Sequence, residues 1–280
     1  MNSLINKIGL GTVQFGANYG ISNVKGKTPD AEVKSILAYA QKSGINYLDT
    51  AHAYGTAELV LGKNNLNEFK IVSKYLSGAE NSLEQQIHTS LKRLKQSSLY
   101  AYLAHRPLDL IENNCKNWKV LQDYKSKGKV AKIGASFNTI EEMDELLSSG
   151  IQLDIIQVPY NFFDTRFEKN MQKLHKSGCE IHTRSTFLQG LFFCNTNELS
   201  SFFEEVKPLI KELQRIENLA TQLLQYVLKR DFIDVVNIGV NNLDQLVENI
   251  SLLGKFENQL VSNDKAIKNE ILIPSKWPKH

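Results

Sequence analysis

The feature that most constrains this chain is a regular alternation of short apolar segments with longer amphipathic ones. Eight segments rich in Val and Ile have the composition of buried strands, and a helical repeat of apolar residues fills the intervals, as at 31–43, 82–94 and 139–148. The strands are predicted at 8–10, 46–49, 70–73, 99–104, 132–134, 154–157, 180–183 and 235–239. This alternation predicts an α/β fold in which a parallel sheet closes into a (β/α)8 TIM barrel.

Such a barrel accounts for most of the 280 residues as a single domain spanning 1–280, because barrels of this kind use about 250 residues. We predict a loop and helix insertion at about 187–218, with its helix at 204–215, and a polar C-terminal tail at about 255–280. An open nucleotide-binding sheet would carry Gly-x-Gly-x-x-Gly after its first strand. Gln14 stands where the third glycine would be, which weighs against that alternative.

Composition excludes several classes of partner. The chain has 33 Lys and Arg against 30 Asp and Glu, a net charge of +3 that is too small to indicate a nucleic-acid binder. No segment approaches the roughly 20 apolar residues that cross a bilayer, so no membrane span is predicted. The three cysteines form no Cys-x-x-Cys pair and are interpreted as reduced thiols of a cytoplasmic protein.

Four polar side chains are predicted to meet at one rim of the barrel. Asp49 closes the second strand and Tyr54 lies in the loop after it, whereas Lys74 closes the third strand and His105 the fourth. The carboxyl ends of barrel strands carry the catalytic residues in enzymes of this fold. We therefore predict that these four residues form a catalytic site.

These residue types suit the reduction of a carbonyl group. A tyrosine hydroxyl has an ordinary pKa of about 10. The ammonium of Lys74 is expected to lower that pKa, with Asp49 as its counter-ion. His105 can donate a hydrogen bond to the carbonyl oxygen as that oxygen becomes negative. Side chains do not deliver hydride, so a nicotinamide cofactor, NADP(H) or NAD(H), is implied.

A metal-dependent barrel hydrolase is an alternative, since it would place His and Asp at strand ends. Only His52, His105 and His182 fall near the predicted rim, and the chain contains neither His-x-His nor His-Glu-x-x-His. His182 is interpreted as a core residue of the barrel wall. We predict no metal site.

Several ordered segments of the chain together resemble the aldo/keto reductase family. They are Gly9-Leu10-Gly11-Thr12, Asp49-Thr50-Ala51-His52-Ala53-Tyr54-Gly55, Val72-Ser73-Lys74, Leu103-Ala104-His105, Ile133-Gly134-Ala135-Ser136, Gln157-Val158-Pro159-Tyr160-Asn161 and Val247-Glu248-Asn249. The resemblance implies a (β/α)8 barrel and NAD(P)(H)-dependent interconversion of carbonyl compounds and alcohols. It implies that Tyr54 is the general acid and that Lys74, paired with Asp49, lowers the Tyr54 pKa. It also implies that His105 orients the carbonyl group.

The resemblance also implies a set of cofactor-binding positions. Ser136 and Gln157 match residues that hold the nicotinamide carboxamide, and Asp49 lies beside them. The remaining positions are Gly11, Thr12 and Val13 after the first strand, Arg184, Ser185, Phe187 and Gln189 after the seventh, and Gly239, Asn241, Gln245, Glu248 and Asn249 after the eighth.

The sequence departs from the family pattern at three places. Arg184 stands where a tyrosine usually stacks on the nicotinamide. Gly239 and Gln245 stand where many NADPH-preferring members have cations, which weakens the expectation of NADPH selectivity. Val13 replaces a tryptophan, which predicts a wider and partly polar pocket.

The chain is therefore predicted to reduce a small-molecule aldehyde or ketone, with a sugar-derived compound as one candidate. A non-catalytic regulatory protein that binds nicotinamide cofactors on the same fold is the alternative, because fold alone does not assign activity. The oligomeric state is not predicted.

Overall fold

The barrel consists of eight parallel strands, each hydrogen-bonded to the next, with β8 closing back onto β1. The computed structural model describes residues 4–78, 81–263 and 265–278. Its strands are β1 Ile8–Gly11, β2 Tyr47–Asp49, β3 Lys70–Tyr75, β4 Leu99–Ala104, β5 Val130–Ser136, β6 Ile155–Pro159, β7 Glu180–Arg184 and β8 Val235–Gly239. The predicted (β/α)8 barrel is confirmed.

Helices surround the barrel and bury an apolar face against it. They are α1 Val13–Gly16, α2 Asp30–Ser43, α3 Ala57–Leu61, α4 Leu83–Leu94, α5 Glu112–Ser126, α6 Ile140–Ser148, α7 Glu168–Lys176, α8 Lys207–Leu213, α9 Leu219–Leu228, α10 Leu243–Ser251 and α11 Asn269–Leu272. Capping boxes at Ser82 and Thr139 begin α4 and α6, because each side chain accepts a hydrogen bond from the third backbone amide of its helix.

The strand register brings the ends of distant segments to one rim. Gly11 pairs with Asp49 on one side and with Gly239 on the other, while Ser136 pairs with Gln157. The strand β3 is longer than predicted and continues to Tyr75, so Lys74 lies within it instead of closing it.

The segment between β7 and α9 contains short helical turns and one helix. It forms turns at Leu188–Phe193 and Ser201–Phe203, followed by α8 at Lys207–Leu213. The helix predicted over 204–215 is shorter at both ends. Pro208 explains where it begins, because proline lacks an amide hydrogen and fits the first turn.

The C-terminal segment packs on this insertion. The Trp277 and Phe203 rings lie 5.0 Å apart, and the backbone amide of Lys268 donates to Glu205. Residues 1–3 and 279–280 of the predicted domain, and residue 264 of the tail, lie outside the described residues. No helix in the described part of the chain is long and apolar enough to span a membrane.

An ionic cluster occupies the amino-terminal half of the barrel. We define the floor cluster as Tyr100, Lys132, Glu180 and His182. The Glu180 carboxylate accepts from the Tyr100 hydroxyl at 2.6 Å, lies 2.6 Å from His182 Nε2 and forms a close ion pair with Lys132. His182 is fully buried, as the sequence predicted.

Candidate active site

Asp49 and Lys74 form a buried ion pair at the centre of the rim. Lys74 Nζ lies 2.7 Å from Asp49 Oδ1 and donates to the Thr50 carbonyl at 2.9 Å. Lys74 is fully buried and lies on β3, directly beside β2. Burial lowers the pKa of Lys74, while Asp49 opposes that shift because its carboxylate stabilises the ammonium.

Tyr54 lies over this pair. Lys74 Nζ is 5.1 Å from the centre of the Tyr54 ring, and the His105 ring meets the same tyrosine edge-on, with ring centres 5.9 Å apart. The loop that carries Tyr54 is fixed by His52, whose backbone amide donates to the Lys74 carbonyl. The structure thus brings together all four residues of the predicted catalytic set.

The sequence leads us to expect a lowered pKa for Tyr54, but in the structure its pKa is raised. Burial raises the pKa of Tyr54 well above its ordinary value, and the negative charge of Asp49 raises it further. Lys74 lies against the ring, and its ammonium is paired with Asp49, whose Oδ1 is 2.7 Å from Nζ. The positive charge of Arg184 acts in the opposite direction and lowers the Tyr54 pKa.

His105 is held in its neutral form. Burial lowers its pKa to about 4, and the positive charges of Lys74 and Arg184 act in the same direction. The His105 Nδ1 atom is buried without a hydrogen-bond partner among the described residues. A neutral imidazole has one N–H donor, which suits it to bind a carbonyl oxygen.

Gln157 and Ser136 pair with each other across the neighbouring strands β6 and β5, and Gln157 contacts this assembly through Asp49. Gln157 is fully buried, and its Nε2 donates to Asp49 Oδ1 at 2.7 Å. Its Oε1 has no partner among the described residues. A buried acceptor without a partner is costly, so this atom fits the donor group of a carboxamide.

Arg184 crosses from β7 to the loop after β5. Its Nη2 donates to the Phe137 carbonyl at 2.9 Å and to Asn138 Oδ1 at 2.6 Å. Ser136 precedes Phe137, and Gln157 lies on β6, the strand that Arg184 spans. The guanidinium is therefore fixed beside the strand ends that carry Ser136 and Gln157.

A bridge joins the loop after β1 to the segment after β7. Gln189 Nε2 donates to the Tyr19 hydroxyl at 2.9 Å, and the Gln189 carbonyl accepts from the Ile21 amide at 3.1 Å. Ser185 and Gln189 both have positive φ, which gives this segment its sharp turns. Phe187 packs against Phe193, with ring centres 5.6 Å apart.

The end of β1 is tied to β2. Thr12 is buried, and both its amide and its hydroxyl donate to the Asp49 carbonyl, at 2.9 and 3.0 Å. Val13 begins α1 directly after it, and Gly11 lies at the last position of β1. These residues form the wall of the rim beside Asp49.

The predicted residues after β8 form a separate group on and around α10. A Cβ atom on Gly239 would meet the Gln14 side chain at 2.6 Å. Gln245 Oε1 accepts from the Asn241 amide at 2.8 Å, and Asn242 caps the helix. The Asn241 Oδ1 atom is buried without a partner among the described residues. Glu248 is exposed and Asn249 is buried.

Sequence reasoning missed three residues that shape the site. Tyr19 contacts Gln189, and Asn138 contacts Arg184, in each case from a different loop. No local sequence pattern predicts such contacts. Glu58 is a buried carboxylate of α3 that accepts from Ser73, the neighbour of Lys74, at 2.7 Å. The sequence signal that could have identified Glu58 is a glutamate on the apolar face of a short helix, four positions after Tyr54.

The described residues contain no group of three or more His, Cys, Asp or Glu side chains that could hold a metal ion. These residues therefore provide no ligand set for a metal-dependent hydrolase. The assembly instead offers a protonated phenol, a neutral imidazole donor and two cations. Such a set can bind a carbonyl oxygen and supply it with a proton.

Comparisons with known proteins agree with this chemistry. The model of the aldo/keto reductase family matches residues 7–272. An uncharacterised oxidoreductase of Bacillus subtilis, YqkF, is 24% identical over 278 residues, which cover 88% of this chain and 86% of that protein. The NADH-specific methylglyoxal reductase of Escherichia coli is 24% identical, covering 76% of this chain and 80% of that protein. The holo form of an aldo-keto reductase from Bacillus halodurans superimposes with a TM-score of 0.71 at 20% identity, covering 96% of this chain and 91% of that one.

Proposed function

The chain belongs to the aldo/keto reductase family and is an NAD(P)-dependent reductase, and on that premise we propose that it reduces a small hydroxylated aldehyde or ketone with Tyr54 as the proton donor. The observation that carries the proposal is that the Tyr54 ring lies close to both Lys74 Nζ, at 5.1 Å, and the His105 ring, at 5.9 Å. Membership in a reductase family replaces the alternative of a non-catalytic cofactor-binding protein.

Tyr54 enters the reaction protonated, because its pKa is raised. An alkoxide is a stronger base than a phenolate, so transfer of the phenol proton to the reduced substrate oxygen remains favourable. The Lys74 ammonium lies against the ring and stabilises the phenolate that forms. Asp49 keeps Lys74 charged in its buried position.

His105 orients the carbonyl. Since its imidazole is neutral, its single N–H donates to the carbonyl oxygen without competing as an acid. The hydrogen bond from His105 becomes stronger as negative charge develops on that oxygen.

The nicotinamide cofactor supplies the hydride when it is bound. Gln157 and Ser136 are proposed to hold its carboxamide, with the unpartnered Gln157 Oε1 as the acceptor. We assign Gly11, Thr12, Val13, Asp49, Arg184, Ser185 and Phe187 to the surrounding wall and Gly239, Asn241, Gln245, Glu248 and Asn249 to the adenosine end. Gln189 is assigned to the bridge over the mouth, because its amide donor is used on Tyr19.

The proposed preference for hydroxylated substrates rests on polar groups near the mouth. Burial raises the pKa of Tyr19, Tyr54 raises it further and Arg184 lowers it, so the Tyr19 hydroxyl lies near both residues. Val13 stands where the family pattern has a tryptophan, and its smaller side chain is proposed to leave room for a substituted substrate. A hydroxylated substrate can satisfy these donors and acceptors, whereas an apolar aldehyde cannot.

We expect Tyr54→Phe to lower kcat/KM for carbonyl reduction by about 100-fold to 10,000-fold and to leave NAD(P)H binding unchanged. Both proteins are assayed by nicotinamide absorbance against matched hydroxylated and apolar aldehydes, with cofactor affinity measured by fluorescence titration. Retention of more than about a tenth of the activity would overturn the assignment of Tyr54 as proton donor. Equal kcat/KM on the hydroxylated and the apolar aldehydes would contradict only the proposed substrate class, and not the role of Tyr54.

A further inference from the structure

Arg184 is a cation whose charge is not balanced within the site. Its three side-chain hydrogen bonds go to neutral acceptors, which are the Phe137 carbonyl, Asn138 Oδ1 and Ser185 Oγ. No carboxylate of the described residues forms an ion pair with it. The other cation of the site, Lys74, is paired with Asp49. Arg184 therefore contributes to the rim a positive charge that no carboxylate of the described residues pairs with.

This charge acts directly on the reacting groups. Arg184 is among the groups that lower the pKa of Tyr54, Lys74 and His105. The guanidinium is also fixed next to Ser136 and Gln157, the two residues proposed to hold the nicotinamide carboxamide. Its two bonds to the loop after β5 prevent it from swinging away toward solvent.

The two redox forms of the cofactor differ in charge at this place. The reduced nicotinamide ring is neutral, whereas the oxidised ring carries a positive charge. A fixed cation in a partly buried site repels the oxidised ring more strongly than it would in water, because the effective dielectric constant is lower. An arginine cannot relieve this repulsion by losing its proton.

We infer that Arg184 makes the protein discriminate between redox forms of its cofactor, binding the reduced form tightly and the oxidised form weakly. The inference rests on the proposed placement of the nicotinamide at Ser136 and Gln157. It predicts that oxidised cofactor leaves readily after each turnover and competes poorly for the site. The protein would then act as a reductase even where oxidised cofactor is abundant.

The test compares dissociation constants of both forms for the wild type, Arg184→Gln and Arg184→Lys. Reduced NADH and NADPH are titrated by fluorescence, and NAD⁺ and NADP⁺ by calorimetry. In the wild type we expect the oxidised form to bind at least about ten-fold more weakly than the reduced form. Arg184→Gln should reduce this ratio about ten-fold by strengthening oxidised-form binding, which corresponds to about 30 mV in the potential of the bound pair.

Two variants serve as controls. Arg184→Lys retains the charge and should retain most of the discrimination. Lys119→Gln removes an exposed charge from the outer face of α5 and should leave the ratio unchanged. Thermal unfolding of each variant shows whether it is folded.

Each outcome decides the inference. A wild-type ratio near one would overturn it without recourse to any variant, as would an Arg184→Gln ratio within about three-fold of wild type. A fall in the ratio caused by weaker binding of the reduced form would also overturn it. Failure of the wild type to bind either form would instead contradict the proposed function.

Discussion

At the scale of single residues, the site is organised around one carboxylate oxygen. Asp49 Oδ1 accepts from Lys74 Nζ and from Gln157 Nε2, each at 2.7 Å. The same residue's carbonyl accepts from Thr12. Asp49 thus links the residues proposed for proton transfer to those proposed for cofactor binding. A substitution at Lys74 or Gln157 therefore alters the surroundings of the buried Asp49 carboxylate, which the other residue also contacts.

We expect Lys74→Met to destabilise the fold by about 3 kcal/mol, because it leaves Asp49 charged and buried without its cation. The measurement is urea unfolding followed by circular dichroism. The double variant Asp49→Asn, Lys74→Met removes both charges and should recover much of the loss. Equal stability of the single and double variants would show that Asp49 does not depend on Lys74 for compensation.

At the scale of elements, the strands could be predicted because each is a short apolar run between helices with clear ends. The end of β3 is predicted too early. Lys74 and Tyr75 extend β3 because they pair with Leu103 and Ala104 of β4, and that pairing is invisible in sequence. Asp49, Lys74 and His105 could be placed at one rim, since parallel strands share an orientation.

Contacts between loops could not be predicted in the same way. The bond from Arg184 to Asn138 and the bridge from Gln189 to Tyr19 depend on loop conformations. Several residues of these loops, including Ser185 and Gln189, adopt positive φ, which non-glycine residues rarely do. The sequence therefore identified Arg184 as unusual but did not identify what holds it in place.

We expect α10 to influence which cofactor binds at the proposed adenosine end. Gln245 is neutral, and its Oε1 is used on the Asn241 amide. We expect Gln245→Arg to improve kcat/KM with NADPH relative to NADH by about ten-fold, because a guanidinium can bind the extra phosphate bidentately. Steady-state kinetics with both cofactors measures the ratio. Gln245→Met removes the same amide contact without adding charge, and a similar gain in that variant would contradict the charge explanation.

At the scale of the whole molecule, closure of the barrel assembles the floor cluster from β4, β5 and β7. Tyr100 and Lys132 lie far in sequence from Glu180 and His182, which are two residues apart on β7, and each would be an ordinary polar residue in a strand. Burial acts to raise the pKa of Glu180, but hydrogen bonds from His182, Lys132 and Tyr100 outweigh it and lower that pKa to about 2. The carboxylate therefore stabilises the closed barrel only while it is ionised.

The pH dependence follows from this shift. Because the pKa of Glu180 is below its ordinary value of 4.5 in the folded protein, its stabilising contribution is complete above that pH. The contribution is lost as the pH falls toward about 2, since the unfolded chain takes up the proton first. We expect Glu180→Leu to lose about 3 kcal/mol at neutral pH, because Lys132 is then partly buried without its anion.

Urea unfolding of wild type, Glu180→Leu and the double variant Lys132→Met, Glu180→Leu over a range of pH tests this account. The double variant should regain stability at neutral pH, because two apolar side chains of suitable volume can replace a buried ion pair. Both variants should also lose less stability than the wild type as the pH falls below 4.5. An acid dependence as steep as that of the wild type would mean that carboxylates other than Glu180 control the acid unfolding of the barrel.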